Sequence, residues 1–187
     1  MAERRSNKQN YEAGLILGGL EGMEAWAALV AQRASTSPLM PVDTSRLATS
    51  IIKDPEGAKF VREGNSTTFT HRVGSGLEYA GAQEMGSGLY NEWEGEDARP
   101  RRKYPIVAGA LQDPPLEGGK KALAFNWKNA PAGMVGAGKD GKFIFTFVMH
   151  PGVRPRRFLR TALRETNEEG RGLVITSMLN QMERMSR

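Results

Sequence analysis

The chain contains no cysteine. That excludes a disulfide framework, a thiolate metal site and a cysteine nucleophile. Histidine is nearly as scarce. His71 and His150 stand alone, far apart and without a close-spaced ligand, so no metal-site spacing is present. A long uninterrupted apolar run is missing too. A membrane span needs about 20 largely apolar residues. Glu21 and Glu24 interrupt the best stretch, so no span is expected. The basic start, Met1 to Lys8, and the apolar Ala13 to Leu20 faintly mimic a secretory signal. The apolar part is short and runs into the same two glutamates, so no signal is expected either.

Catalytic patterns are also absent. His71 could meet Ser66 or Ser75, but no third residue is spaced to orient it, and no nucleophile elbow occurs. Gly133 to Asp140 is glycine-rich. It lacks the Gly-x-x-x-x-Gly-Lys-Ser/Thr spacing, and a strand pattern follows it instead of a helix. No catalytic, cofactor-binding or metal-binding residue is therefore expected, and the chain does not read as an enzyme.

What is present is a chain of 187 residues, 39% hydrophobic and 25% charged, with a net charge of +5. That length predicts a single domain, 1–187, with a real core and a polar surface. The positive balance permits anionic partners. Residues 10–34 predict an amphipathic helix, with Ile16, Leu20, Met23, Ala27, Val30 and Ala34 on one stripe. Gly14, Gly18 and Gly22 recur every four residues. They either let another element come close or mark a break near Gly18-Gly19. A short helix capped by Asp43 or Thr44 is expected over residues 44–52, ending at Asp54-Pro55.

Strands are predicted over 59–63, 67–74, 122–127 and 142–150. In the last, Phe143, Phe145, Phe147 and Met149 share a face. Asn129 to Lys142 reads as a glycine-rich hairpin tip ending in Asp140-Gly141. Residues 87–120 read as a long irregular loop. Helices follow over 158–169 and, after Gly170 and Gly172, over the C-terminal extension 173–187. The predicted class is α+β: a small antiparallel sheet packed by the N-terminal and C-terminal helices. Phe158, Leu159 and Leu163 are expected to seat the C-terminal helix on the strand Phe143–Met149.

Two basic clusters stand out. One holds Arg99, Arg101, Arg102 and Lys103; the other holds Arg154, Arg156, Arg157 and Arg160. Guanidinium forks suit phosphates and carboxylates alike. Only Trp93, Tyr104 and Phe158 lie near them in sequence, so stacking on nucleic-acid bases has little support. The second cluster is expected at a subunit or partner interface, against acidic residues such as Glu92 to Asp97, with contact to phosphates as the alternative. Met178, Met182 and Met185 form a soft apolar stripe. It suits docking on a neighbour, or packing on its own domain.

Three blocks between residues 43 and 163 carry a resemblance. The first is Asp43-Thr44-x-Arg46-Leu47-x-x-Ser50-Ile51. The second is Tyr79-Ala80 with Glu84 and Gly86. The third is His150-Pro151-Gly152 followed by Pro155, Phe158, Leu159, Ala162 and Leu163, with Lys121 to Phe125 as a preceding strand. In this order they resemble the neck, tail-completion and minor tail component family of tailed bacteriophages. Ser45 stands where glycine is frequent, and Gly81 where proline is. The resemblance implies a structural virion protein at the head-to-tail junction, assembled in the bacterial cytoplasm. It implies a ring of copies around the packaged DNA, six-fold as in tails or twelve-fold as in portal-linked rings, touching neighbouring junction and tail proteins. The alternative drawn from charge alone is a basic nucleic-acid-binding protein acting outside a virion.

Overall fold

Gly14, Gly18 and Gly22 recur at intervals of four residues, so they share one face of a helix. In the computed structural model, which describes residues 2–41, 45–98, 100–108, 119, 122–125 and 142–186, that helix is α1, Ala2–Ser35. It runs through Gly18-Gly19 without a break. The glycine face meets α5, Asn167–Ser186. Gly14 lies against the backbone of Met182, Gly18 against Met178, and Gly22 against Val174. One turn further along, the pattern inverts, and Gly170 of α5 lies beneath the Trp26 ring. Each step of four along α1 is thus matched by a step of four back along α5, so the pair is antiparallel. An interior glycine costs about 1 kcal/mol of helix propensity relative to alanine. Here that loss is offset by backbone contact that no side chain would permit. Trp26 Nε1 donates to Thr166 Oγ1 at 3.2 Å, and Gln181 Nε2 donates to Glu21 at 2.7 Å.

The chain divides into two compact units where the sequence suggests one domain. Residues 1–84 and 156–187 form the first, and residues 85–155 the second. In the first unit, α4, Phe158–Glu165, precedes α5 and is separated from it by Thr166 alone. The break therefore falls at Thr166, not at the glycines 170 and 172 expected to end the first helix. Gly170 is used for packing on Trp26 and stays helical. The core gathers Val30, Ala34, Met40, Leu47, Ile51, Ala80, Phe158 and Ala162. Phe158 is fully buried in it. Phe158 packs in this cluster of the first unit, whereas the strand 143–149 on which it was expected to sit belongs to the second. Leu163, expected in the same seat, is 50% exposed.

The short helix α2, Arg46–Thr49, is smaller than predicted. Residues 42–44, with the predicted cap, lie outside the described residues. Ile51–Lys53 leaves the helix to become β1, because it pairs antiparallel with β4, Val73–Ser75. Strands β2, Lys59–Glu63, and β3, Ser66–Thr70, form a hairpin in which Phe60 faces Phe69. Its turn is Gly64-Asn65, with Gly64 at φ +59°. The predicted strand 67–74 is thus split at His71-Arg72 between two partners. Helix α3 is Ala80–Met85.

The second unit adds β5, Tyr104–Val107, within the segment expected to be irregular. It pairs antiparallel with β8, Phe147–His150, and β6, Leu123–Phe125, pairs with β7, Phe143–Phe145. The single strand predicted over 142–150 breaks at Thr146. The break shifts the alternation, so Phe143 and Phe145 are half-buried while Phe147 and Met149 are exposed. The rest of the predicted strand 122–127 and nearly all of the glycine-rich tip 129–142 lie outside the described residues. Long helices beside antiparallel pairs make the chain α+β. Gln9–Ser35 does reach the length and mean hydropathy, 1.3, of a membrane-crossing helix, contrary to the expectation above. Its Gly14, Gly18 and Gly22 face α5, and Val30 and Ala34 join the core, whereas Leu15 and Leu17 are exposed.

Gly18 and Gly172 give opposite predictions. A methyl group at Gly18 would sit under 3.0 Å from the Met178 backbone, whereas one at Gly172 meets nothing within 4 Å. Gly18→Ala is expected to lose about 1–3 kcal/mol of stability through overpacking. Gly172→Ala is expected to gain up to about 1 kcal/mol. Urea unfolding of both variants checks this; equal shifts of the same sign would contradict the close helix approach.

Candidate functional site

Helix α4 begins without a cap of its own. The residue before it, Arg157, has φ 55° and no side-chain acceptor. The first N–H groups of a helix need partners. They find them in Glu84 of α3, whose Oε2 accepts from Leu159 N–H and Oε1 from Arg160 N–H, both at 2.9 Å. The carboxylate is 9% exposed. Its charge faces the positive end of the helix, where an anion is favoured. Just before α4, Arg156 N–H donates to the Gln83 carbonyl at 2.7 Å and Arg157 N–H to the Glu84 carbonyl at 3.3 Å. Two blocks that are distant in sequence are thereby joined by four hydrogen bonds.

A second carboxylate, Glu24 of α1, gathers the strand side of the same unit. It pairs with Lys53 and accepts from Ala58 N–H at 2.8 Å. His71 Nε2 lies 3.1 Å from its Oε1. The Lys53 ammonium, then the Ala58 N–H and His71, hold the Glu24 carboxyl far below its usual range, at about 2, against a smaller opposing effect of burial. The His71 side chain is 1% exposed, and its Nδ1 has no partner among the described residues. That ring also lines a cavity of about 580 Å³ with Trp26, Val30, Val73, Leu163 and the two arginines Arg72 and Arg160.

The second unit has its own polar network. Gly86 sits at φ +76° against Val153 O and the Pro155 ring, where a side chain would clash. Ser87 N–H donates to Val153 O at 2.9 Å, and Leu89 N–H to Pro151 O at 2.7 Å. His150 Nδ1 accepts from Gly152 N–H at 3.0 Å, so this histidine closes a turn. Buried Asn91 accepts from Trp93 N–H at 2.8 Å through Oδ1.

The predicted interface arginines fall in both units. Arg154 belongs to the second unit and lies 5.2 Å from the centre of the Tyr90 ring. Arg156, Arg157 and Arg160 belong to the first unit and are exposed. Arg101 Nε donates to Asn91 O at 3.0 Å, Arg102 is exposed, and Arg99 lies outside the described residues. Met178 and Met182 stand where α5 meets α1, so their stripe is used within the chain, and Met185 is half-buried. The exposed apolar residues of α5 are Ile175 and Leu179 instead. Sequence reading missed Glu84, Glu24 and the cavity. The visible clue to Glu84 was its place in the second block, ahead of a helix with no capping residue.

The Glu24 pairing predicts a pH dependence. Its carboxyl is depressed in the folded state, so the stability it adds is full above about pH 4.5. That stability is lost as the pH falls through about 2. Glu24→Gln is expected to cost about 1 kcal/mol at pH 7, a figure discounted because a third of the side chain is exposed. The gap between variant and wild type should close between pH 4.5 and 2 in thermal melts. A gap constant with pH would contradict the assignment.

No family model, curated protein or solved structure matches this chain.

Proposed function

We propose that the chain is a structural subunit of a tailed-phage head-to-tail junction, a neck or tail-completion protein. Copies of it form a ring around the passage of the packaged DNA, beside neighbouring junction and tail proteins. One observation carries this reading. The three blocks on which the resemblance rests serve a common architecture. Leu47 and Ile51 of the first, Ala80 of the second, and Phe158 and Ala162 of the third share one core. Glu84 of the second block caps the helix of the third. These spaced residues serve the fold, whereas Arg46, Tyr79 and Leu163 of the same blocks are exposed and open to contact chemistry. Such contacts close into rings when they are heterologous and repeat around an axis. Six-fold symmetry is preferred, with twelve-fold the alternative.

A free-standing nucleic-acid-binding role fits less well. Arg101 and Arg154 are engaged within their own unit, and the two arginine clusters hold few neighbouring aromatic rings. Cells that carry the gene and produce tailed particles provide the test. Mass spectrometry of purified particles should find the chain, and deletion of the gene should leave filled heads separate from tails. Particles that lack the protein and remain infectious would contradict the proposal.

A further inference from the structure

We infer that the cavity of the first unit receives the acidic loop of a second copy of this chain, with Leu89 entering the cavity and Glu94 and Glu96 meeting Arg72 and Arg160. This deepens the ring reading and rests on it. The cavity of about 580 Å³ has an apolar floor that includes Trp26, Val30 and Val73. Leu163 lines it and is left 50% exposed, although the next residue back, Ala162, is buried. Both charged residues in the lining are arginines, and no carboxylate is among them. The buried His71 ring also lines the cavity and keeps Nδ1 without a partner among the described residues, a cost that an incoming polar group would remove. An apolar, positively rimmed hollow with an unsatisfied ring nitrogen suits an apolar side chain followed closely by carboxylates.

This chain carries such a segment. Glu92, Glu94, Glu96 and Asp97 fall within six residues, the densest acidic run in a chain of net charge +5. Glu94 and Glu96 are exposed, and Leu89, five residues before Glu94, is 40% exposed. Its loop is held firmly by Leu89 N–H on Pro151 O, so the leucine is presented by ordered backbone. The cavity and the loop are different surfaces, so the contact is heterologous. One copy's loop fills the next copy's cavity, which is the arrangement a ring requires. Exposed charges at the rim make the contact sensitive to salt.

Sedimentation velocity of the full chain tests the contact. Wild type should associate with rising concentration, and added salt should weaken that association. Arg72→Glu with Arg160→Glu, and separately Glu94→Lys with Glu96→Lys, should each weaken it at least tenfold while circular dichroism stays unchanged. A chain carrying all four reversals should associate again, because each reversed loop meets a reversed cavity. Leu89→Ser removes the apolar anchor with all charges in place, and it too should shift the protein to monomer. Wild type that is monomeric at its solubility limit would overturn the inference, and so would association indifferent to the charge reversals and to Leu89→Ser. Neither result touches the presence of the chain in particles, which tests the ring reading separately.

Discussion

The Glu84 carboxylate at the start of α4 is the interaction on which the first unit depends. A buried carboxylate is costly unless its oxygens are satisfied. A helix whose leading residue is Arg157, in a left-handed conformation, cannot satisfy its own first N–H groups. The two deficits cancel across 75 residues of sequence. The first turn of α4 also carries Phe158, which fills the centre of the core. Positioning that turn positions the largest buried side chain. Through it, α1, α2, β1 and α3 are drawn around one point.

The second constraint is the separation of α1 and α5. Small residues alternate between the partners: glycines on α1 face Met182, Met178 and Val174, and Gly170 on α5 faces Trp26. Bulk on one side is always met by its absence on the other. The Trp26 to Thr166 hydrogen bond marks the place where α4 ends and α5 begins. On its other side α1 presents Glu24 to Lys53 and Ala58, and Gly19 to the Phe69 ring. One helix thus organises both the helical layer and the strand pairs of the first unit. The cavity between its Trp26 and Val30 and the exposed Leu163 is left where the packing does not close.

Much of this was legible in the sequence. The 3.6-residue stripe through Val30 and Ala34 names core residues directly, because local periodicity reports burial, and Phe158 is buried as expected although Leu163 is not. Strand limits were less legible. Alternation continues unbroken through Thr146, yet the strand changes partner there, and a change of partner leaves no local signal. The first block misled in a similar way. Ile51 suits a helix face, but pairing with Ser75 places it in a strand. The polar sites were nearly invisible. Glu84 and Glu24 act on residues far away in sequence, and a sequence shows a carboxylate but not the N–H groups it will meet. Arginines that are neighbours in sequence were read as one cluster, and the fold sends them to different tasks.

The central claim is that the polar investment of these blocks is architectural, with Glu84 as its keystone. Urea unfolding of Glu84→Ala beside Glu84→Gln measures this most directly. The account predicts a loss of about 1–3 kcal/mol for alanine, which leaves two part-buried N–H groups without their acceptor. It predicts a smaller loss for glutamine, whose carbonyl oxygen still accepts one of these part-buried N–H groups. Wild-type stability in Glu84→Ala would contradict it.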